Sequence, residues 1–213
     1  MKNQLLIFSF IILPAFCFSQ NRSDTDKESG KLQLGVRSTF SSFTDAGHNG
    51  LGTGGQFRLK LGNRLNTEWF ADYIKTNIAS LAMRTDYHIG WAVQYYPLNN
   101  IIQQGQLTPY IMAGHCFDKT EVEKTYGNDG PLSRWSSAVT SGLGTHYNIT
   151  DNFDISLSGL YMLHLGDEIH VAVSESGNEA EIEEEDAHLG GHLLFSLSLN
   201  VYMGDLWGKQ VSN

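Results

Sequence analysis

Apolar and polar residues alternate along most of this chain, and the alternation is longest near its end. From Ala187 to Met203, Leu189, Gly191, Leu193, Phe195, Leu197, Leu199 and Val201 fall on one side. His188, Gly190, His192, Ser196, Ser198 and Asn200 fall on the other, broken only by Leu194. Side chains of a strand point to its two faces in turn, whereas a helix repeats about every 3.6 residues. The run is about fifteen residues, well beyond the roughly five or six of an ordinary strand. A tilted strand needs roughly nine to eleven to cross a bilayer.

The same pattern recurs upstream. Leu32, Leu34, Val36 and Phe40 alternate with Gln33, Gly35, Arg37 and Thr39. Phe57, Leu59 and Leu61 alternate with Gln56, Arg58 and Lys60. Leu65, Thr67, Trp69, Ala71 and Tyr73 oppose Asn66, Glu68, Phe70 and Asp72. Tyr87, Ile89, Trp91, Val93 and Tyr95 oppose His88, Gly90, Ala92 and Gln94. A fifth strand runs from Thr108 to Asp118, with faces that the pattern leaves unassigned. Trp135, Val139, Leu143, Tyr147 and Ile149 alternate with residues such as Ser136, Ala138, Thr140 and His146. In the seventh, Phe153, Ile155, Leu157, Tyr161 and Leu163 oppose Asp154, Ser156, Ser158 and His164. The run from Ala187 makes eight.

Connections alternate between short and long. Gly62–Arg64 and Thr150–Asn152 read as tight turns, with a moderate link from Pro97 to Leu107. Thr44–Leu51, Thr76–Met83, Lys119–Ser133 and Gly166–Asp186 read as the longer loops, expected on the outside of a cell. Aromatic residues including Trp69, Trp91, Trp135, Tyr73, Tyr95 and Phe153 are expected towards strand ends on the apolar face, as interface girdles. The predicted fold is all-β, an eight-stranded antiparallel up-and-down transmembrane barrel. A soluble lipocalin-like carrier would use the same strands with the apolar face turned inward. Strand length, the aromatics and the Gly and Ser of the polar face favour the membrane, because an eight-stranded bore admits only side chains.

The termini and the charge refine this picture. Residues 1–19 read as a signal peptide: Lys2, an apolar stretch from Leu5 to Phe18, and small side chains before a cut at Gln20. Acylation of Cys17 is the alternative, opposed by bulky Phe16 just before it. Residues 20–30 form a polar, flexible lead-in, 31–204 the barrel and 205–213 a periplasmic tail. Cleavage leaves Cys116 as the sole cysteine, so no internal disulfide is expected. The formal charge is −9, and loss of Lys2 makes it −9 − 1 = −10. Such a chain lacks the basic patch of a nucleic-acid binder.

Signal peptide, eight alternating strands and acidic loop together resemble the small outer-membrane β-barrel (porin-like, OmpA/OmpX-type) family of Gram-negative envelopes. The resemblance covers about residues 31–204 and rests on pattern, not on a motif. It implies residence in the cell outer membrane, with outer-membrane lipid and lipopolysaccharide as surroundings. The family usually ends on an aromatic residue read by the insertion machinery, whereas here a tail follows Tyr202.

Candidate chemistry is sparse. Eight histidines show no HExxH and no paired Cys/His spacing, so no metal centre or cofactor is expected. His188 and His192, four apart on one strand face, stand about 13 Å from each other. The run Glu179, Glu181, Glu183, Glu184, Glu185 and Asp186 reads as a solvated loop, with loose binding of Ca²⁺ or Mg²⁺ as the alternative. Folding strands six and seven about Thr150–Asn152 sets Ser136 roughly opposite His164, with Asp167 and Glu168 near. These are parts of an activated nucleophile and would make a lipid-modifying enzyme. The interior charges carry the favoured reading. Arg58 falls opposite Glu68, Asp72 near His88, and Arg37 and Lys60 close by. In a narrow bore these six should form a paired, packed network. The expected protein is a non-enzymatic barrel with a charge-plugged lumen. It would act in envelope integrity, surface interaction or as a small subunit of a membrane complex.

Overall fold

The computed structural model describes residues 29–43, 48–98, 104–126, 130–165, 168–173, 180–185 and 191–207. The signal peptide, the lead-in up to 28 and the tail from 208 lie outside them. The strands are β1 (Lys31–Phe43), β2 (Asn49–Lys60), β3 (Leu65–Ile78), β4 (Ala82–Tyr95) and β5 (Leu107–Lys124). They continue with β6 (Leu132–Asn148), β7 (Phe153–Leu165), β8 (Glu168–Val173), β9 (Ala180–Glu185) and β10 (Gly191–Asp205). Eight of them close an antiparallel barrel in the order β1-β10-β7-β6-β5-β4-β3-β2. Each pairs with its chain neighbour, and β10 returns to β1, which is up-and-down topology. Closure leaves no sheet edge unpaired, the condition that hydrocarbon imposes on a spanning sheet.

The alternation decides which face goes where. Along β3, exposed and buried positions alternate from Trp69 to Ile78. The large apolar side chains point out: Val36 is 67% exposed, Leu143 68% and Leu197 55%. The polar face is buried inside. A carrier with an apolar interior is the reverse arrangement, so the lipocalin-like reading is set aside.

Turn chemistry closes one end of the barrel. Leu61 and Gly62 N–H both donate to Leu65 O, at 3.0 and 3.1 Å. Thr150 Oγ1 accepts from the N–H of Asn152 and Phe153 at 3.2 and 3.1 Å. Both β1 and β10 reach this end, where Leu206 N–H donates to Gly30 O at 2.9 Å. We call it the turn end, and the opposite one the loop end.

The structure departs from expectation in six places, besides β5 running to Lys124 and β6 beginning at Leu132 inside the expected loop Lys119–Ser133. Residues 76–83 are not a loop: β3 and β4 run on to a tight turn with φ of 51° at Ala79 and 62° at Ser80. Asn77 Oδ1 accepts from Ser80 N–H there, at 2.7 Å. Second, β2 begins at Asn49, inside the expected loop Thr44–Leu51. Its inward Gly52 and Gly54 lie under Ile74 and Asp72 of β3, so the missing side chains make room rather than a turn. Third, part of the expected loop Gly166–Asp186 is the hairpin β8–β9, with Val171 opposite Ile182. Ile169 is buried with Ile78, Ala82 and Val122, so apolar burial holds this hairpin on the loop end. Fourth, the closing strand runs on to Asp205, past the expected end at Met203; it is described from Gly191, and Ala187–Gly190 lie outside the described residues. Fifth, β5 has definite faces, Tyr110, Met112, Cys116 and Asp118 inward and Ile111, Ala113 and Phe117 outward. Sixth, Trp91 stands midway along the wall between Tyr87 and Tyr95, in register with Trp69.

Leu194 is not a flaw in the pattern. It faces inward opposite Leu160, fully buried, in a cluster with Phe70, Ile74, Met112 and Met162. The lumen therefore has an apolar component that the polar-face argument did not contain.

Candidate functional site

The lumen is filled by side chains that reach across it. Each inward position of a strand alternates with an outward one, so long polar residues on facing walls meet near the axis. Among the described residues four buried cations, Arg37, Arg58, Lys60 and Arg84, are set against five buried carboxylates, Glu68, Asp72, Asp86, Asp118 and Asp154. This near balance is what a narrow bore requires, because a lone buried charge is costly.

Towards the turn end the centre is Arg58. Its Nη2 donates to both oxygens of Asp154, at 2.6 and 2.7 Å. Its Nη1 lies 2.8 and 3.0 Å from the two ring nitrogens of His146. Asp154 also accepts from Gln33 at 2.8 Å, Ser156 at 3.0 Å and Asn200 at 2.9 Å. His146 stacks on Tyr110 with ring centres 4.4 Å apart. Beside this group a cavity of about 20 Å³ is lined by residues including Lys60, Asn66 and Tyr96. It is room for about one water.

At mid-height Arg37 is held from four sides. Its Nε lies 3.1 Å from Asp72 Oδ1 and its Nη1 3.6 Å from Glu68 Oε1. Nη2 donates to Ser196 Oγ at 2.7 Å, and the guanidinium lies 4.5 Å above the Phe70 ring centre. Glu68 Oε2 in turn accepts from Gln94 at 2.9 Å.

Towards the loop end the groups are histidines and carboxylates. His164, His192 and His88 form a stack, with centres 4.9 and 5.8 Å apart. His88 is buried and both its ring nitrogens lack a hydrogen-bond partner among the described residues. Arg84 Nε donates to Asp86 at 3.0 Å, and Thr120 Oγ1 donates to the same carboxylate at 2.7 Å. Among the described residues no group of His, Cys, Asp or Glu has the arrangement to hold a metal ion.

All six residues singled out in the sequence, Arg37, Arg58, Lys60, Glu68, Asp72 and His88, are buried in this lumen. Their partnerships differ from a reading of adjacent strands. Arg58 does stand opposite Glu68 in register. Yet its guanidinium crosses to Asp154 on β7, while Glu68 is met by Arg37 and Gln94. A flat pairing diagram shows only neighbours, whereas a closed barrel also brings opposite walls together. Asp154, Arg84, Asp86, Asp118, His146 and His192 belong to the same network and are missed by the sequence reading. The unassigned faces of the fifth strand hide Asp118. Asp154 is visible as the lone carboxylate on the inward faces of strands six to eight.

Ser136 and His164 do meet, although His164 stands opposite Ala138 in register. Ser136 Oγ is 3.3 Å from His164 Nδ1 and donates directly to Asp118. The same Nδ1 lies 3.2 Å from Asp118 Oδ2, and Nε2 is 3.0 Å from His192 Nδ1. A nucleophile relay needs the imidazole to bridge serine and carboxylate through its two different nitrogens. Here one nitrogen faces both and the other is occupied, so the relay is absent. Asp167 and the acidic residues Glu179 and Asp186 lie outside the described residues.

No family model matches this chain, and no curated protein matches it. Solved structures do. Neisserial surface protein A is 14% identical with a TM-score of 0.58, over 81% of this chain and 96% of that one. Outer membrane protein OprG from Pseudomonas aeruginosa is 15% identical with a TM-score of 0.53, over 82% and 96%. A major outer membrane protein from Thermus thermophilus is 11% identical with a TM-score of 0.52, over 81% and 98%. At such identities the likeness is one of fold: this chain is an eight-stranded antiparallel barrel similar to known outer-membrane barrel proteins.

Proposed function

We propose that the protein is a non-enzymatic barrel of the outer membrane, with a lumen closed by its own side chains. It contributes to envelope integrity and presents its loop end at the cell surface. The observation that carries this is the pairing of an apolar outer wall with a filled, nearly charge-balanced interior. Such a wall suits lipid, and such a bore leaves no continuous path for ions. The hydrocarbon around the wall and the lipopolysaccharide of the outer leaflet are then its immediate partners. The turn end, with both termini of the barrel, lies in the periplasm.

Purified protein refolded in lipid should migrate faster on gels before boiling than after, as closed barrels do. In planar bilayers it should give no stable, large single-channel current. A steady conductance would show that the lumen groups only line an open channel. Proteolysis of intact cells should cut between residues 166 and 186. Cuts confined to the turns at 62–64 and 150–152 would mean that the barrel is inserted the other way.

A further inference from the structure

Three buried histidines cross the bore near its loop end. His164 stands on β7 and His192 on the adjacent β10, while His88 reaches them from β4 on the opposite wall. The rings lie nearly parallel, His164 and His88 tilted by 26° and 24° from His192 between them. Side chains from both walls thus close the bore as one layer of imidazoles.

The charged groups around this layer are engaged with one another. Asp72 of β3, the register partner of His88, lies 3.1 Å from Arg37 of β1. Asp86 of β4 accepts from Arg84 and from Thr120 of β5. Asp118 of β5 accepts from Ser136 and lies 3.2 Å from His164 Nδ1. Arg134 of β6 lines a small cavity with Arg84, Asp118 and His164, and Ile169 of the hairpin closes it. β2 brings only Gly50, Gly52 and Gly54 to this end, and Cys116 of β5 faces the bore beside Asp118. Arg134 joins the four buried cations named above. Among the described residues five cations then face five carboxylates while the histidines are neutral. One imidazolium has a carboxylate to face, His164 on Asp118. A second, on His192, would stand with its ring centre 4.9 Å from the first. Neither nitrogen of His88 has a hydrogen-bond partner among the described residues, so a charged His88 would bury two unpaired donors.

We propose that this layer is an acid-operated plug: neutral, it seals the loop end of the lumen, and protonated, it parts and lets water into the bore. The driving force is repulsion between like charges stacked in a site shielded from water. Histidine is the side chain whose ordinary titration, at about 6.5, falls between pH 5 and 8, whereas carboxylates titrate about two units lower. Parting hydrates the imidazoles, so the parted state binds more protons than the closed one. Its population therefore rises as pH falls. Each histidine stands on a different strand, and the rings can part by side-chain rotation with the backbone ladders intact. The cavity beside His164 is where water enters. The plug presupposes the closed lumen proposed above.

Cys116 reports the opening. Its thiol is fully buried, faces the bore and stands two positions from Asp118 on β5. Mature protein in phospholipid vesicles is labelled with a water-soluble thiol reagent. Each rate is divided by that of the unfolded chain at the same pH, which removes the thiol's own titration. At about pH 7.5 Cys116 should be protected, and below about pH 6 protection should fall about tenfold per pH unit for each proton taken up. A variant carrying His88→Gln, His164→Gln and His192→Gln should stay protected to about pH 5, because glutamine keeps donor and acceptor and does not titrate there. His192→Gln alone removes the middle ring and should flatten the slope, which keeps the test decisive if the triple variant fails to fold. Heat-modifiable migration at each pH shows whether the whole barrel persists. Constant protection over this range in the folded chain would overturn the plug, and so would equal loss of protection in the unaltered chain and the glutamine variants. Loss of the heat-modifiable form together with protection would also overturn it, because the whole barrel and not this layer would then respond. Free labelling at neutral pH would refute the closed lumen itself, and the plug with it.

Discussion

The Arg58–Asp154 contact, at 2.6 Å, is a tight ion pair of the buried lumen, and the strand pattern does not reveal it. Pattern reading places Arg58 on the inner face correctly, because a period of two needs only the sequence. It does not choose between Glu68, its register neighbour, and Asp154, three strands away around the wall. That choice depends on how far a guanidinium reaches across a closed bore. Removing one member of a buried pair strands the other and costs about 3–5 kcal/mol. Arg58→Leu and Asp154→Leu should each destabilise the barrel by about that much in urea unfolding from lipid. The double mutant should cost less than the sum of the two. The same cycle on Arg58 and Glu68 should show weaker coupling, since Glu68 keeps Arg37 and Gln94. Equal coupling in the two cycles would contradict the crossed arrangement.

At the scale of elements, most strands are legible in the sequence and two segments are not. Alternation predicts a strand only where large residues mark one face, and that holds for β3, β4, β7 and β10. The start of β2 has no such mark, since Gly50, Gly52 and Gly54 occupy its inward positions. Glycine there reads as a turn from the sequence alone. Its actual role becomes visible only with β3 in place. A Cβ at Gly52 would lie 2.5 Å from Tyr73 O and 2.6 Å from Ile74 Cγ1. One at outward Gly55 would have Gly35 O as its nearest neighbour, at 3.7 Å. Gly52→Val should therefore abolish the heat-modifiable form, and Gly55→Ala should leave folding yield unchanged. The hairpin β8–β9 is hidden for another reason. The glutamates around Ile182 read as a solvated run, so the cluster that buries Ile169 has no signature of its own.

For the whole molecule, the partition of apolar and polar faces is what supports placing the barrel in lipid, and one adjacent pair of residues tests it. Leu197 points outward at mid-height of β10, between Leu193 and Val201, and its register partners are Ser38 and Leu157. Ser196, next along the chain, points inward to Arg37 Nη2 at 2.7 Å. An arginine on the lipid face costs about 2–4 kcal/mol at the midplane and about 0–1 near an interface. Leu197→Arg should therefore reduce folding stability in vesicles by about 2–4 kcal/mol, and Val201→Arg by no more than about 1. Ser196→Arg fails for a different reason, because it sets a second guanidinium beside Arg37 inside a filled bore. Its cost should fall when Arg37→Leu is added, since that removes the repulsion. The cost of Leu197→Arg should not respond to Arg37→Leu, because the two groups lie on opposite sides of the wall. If Arg37→Leu relieved Leu197→Arg as well, or if Leu197→Arg and Val201→Arg cost the same, the outward face would not be the lipid face.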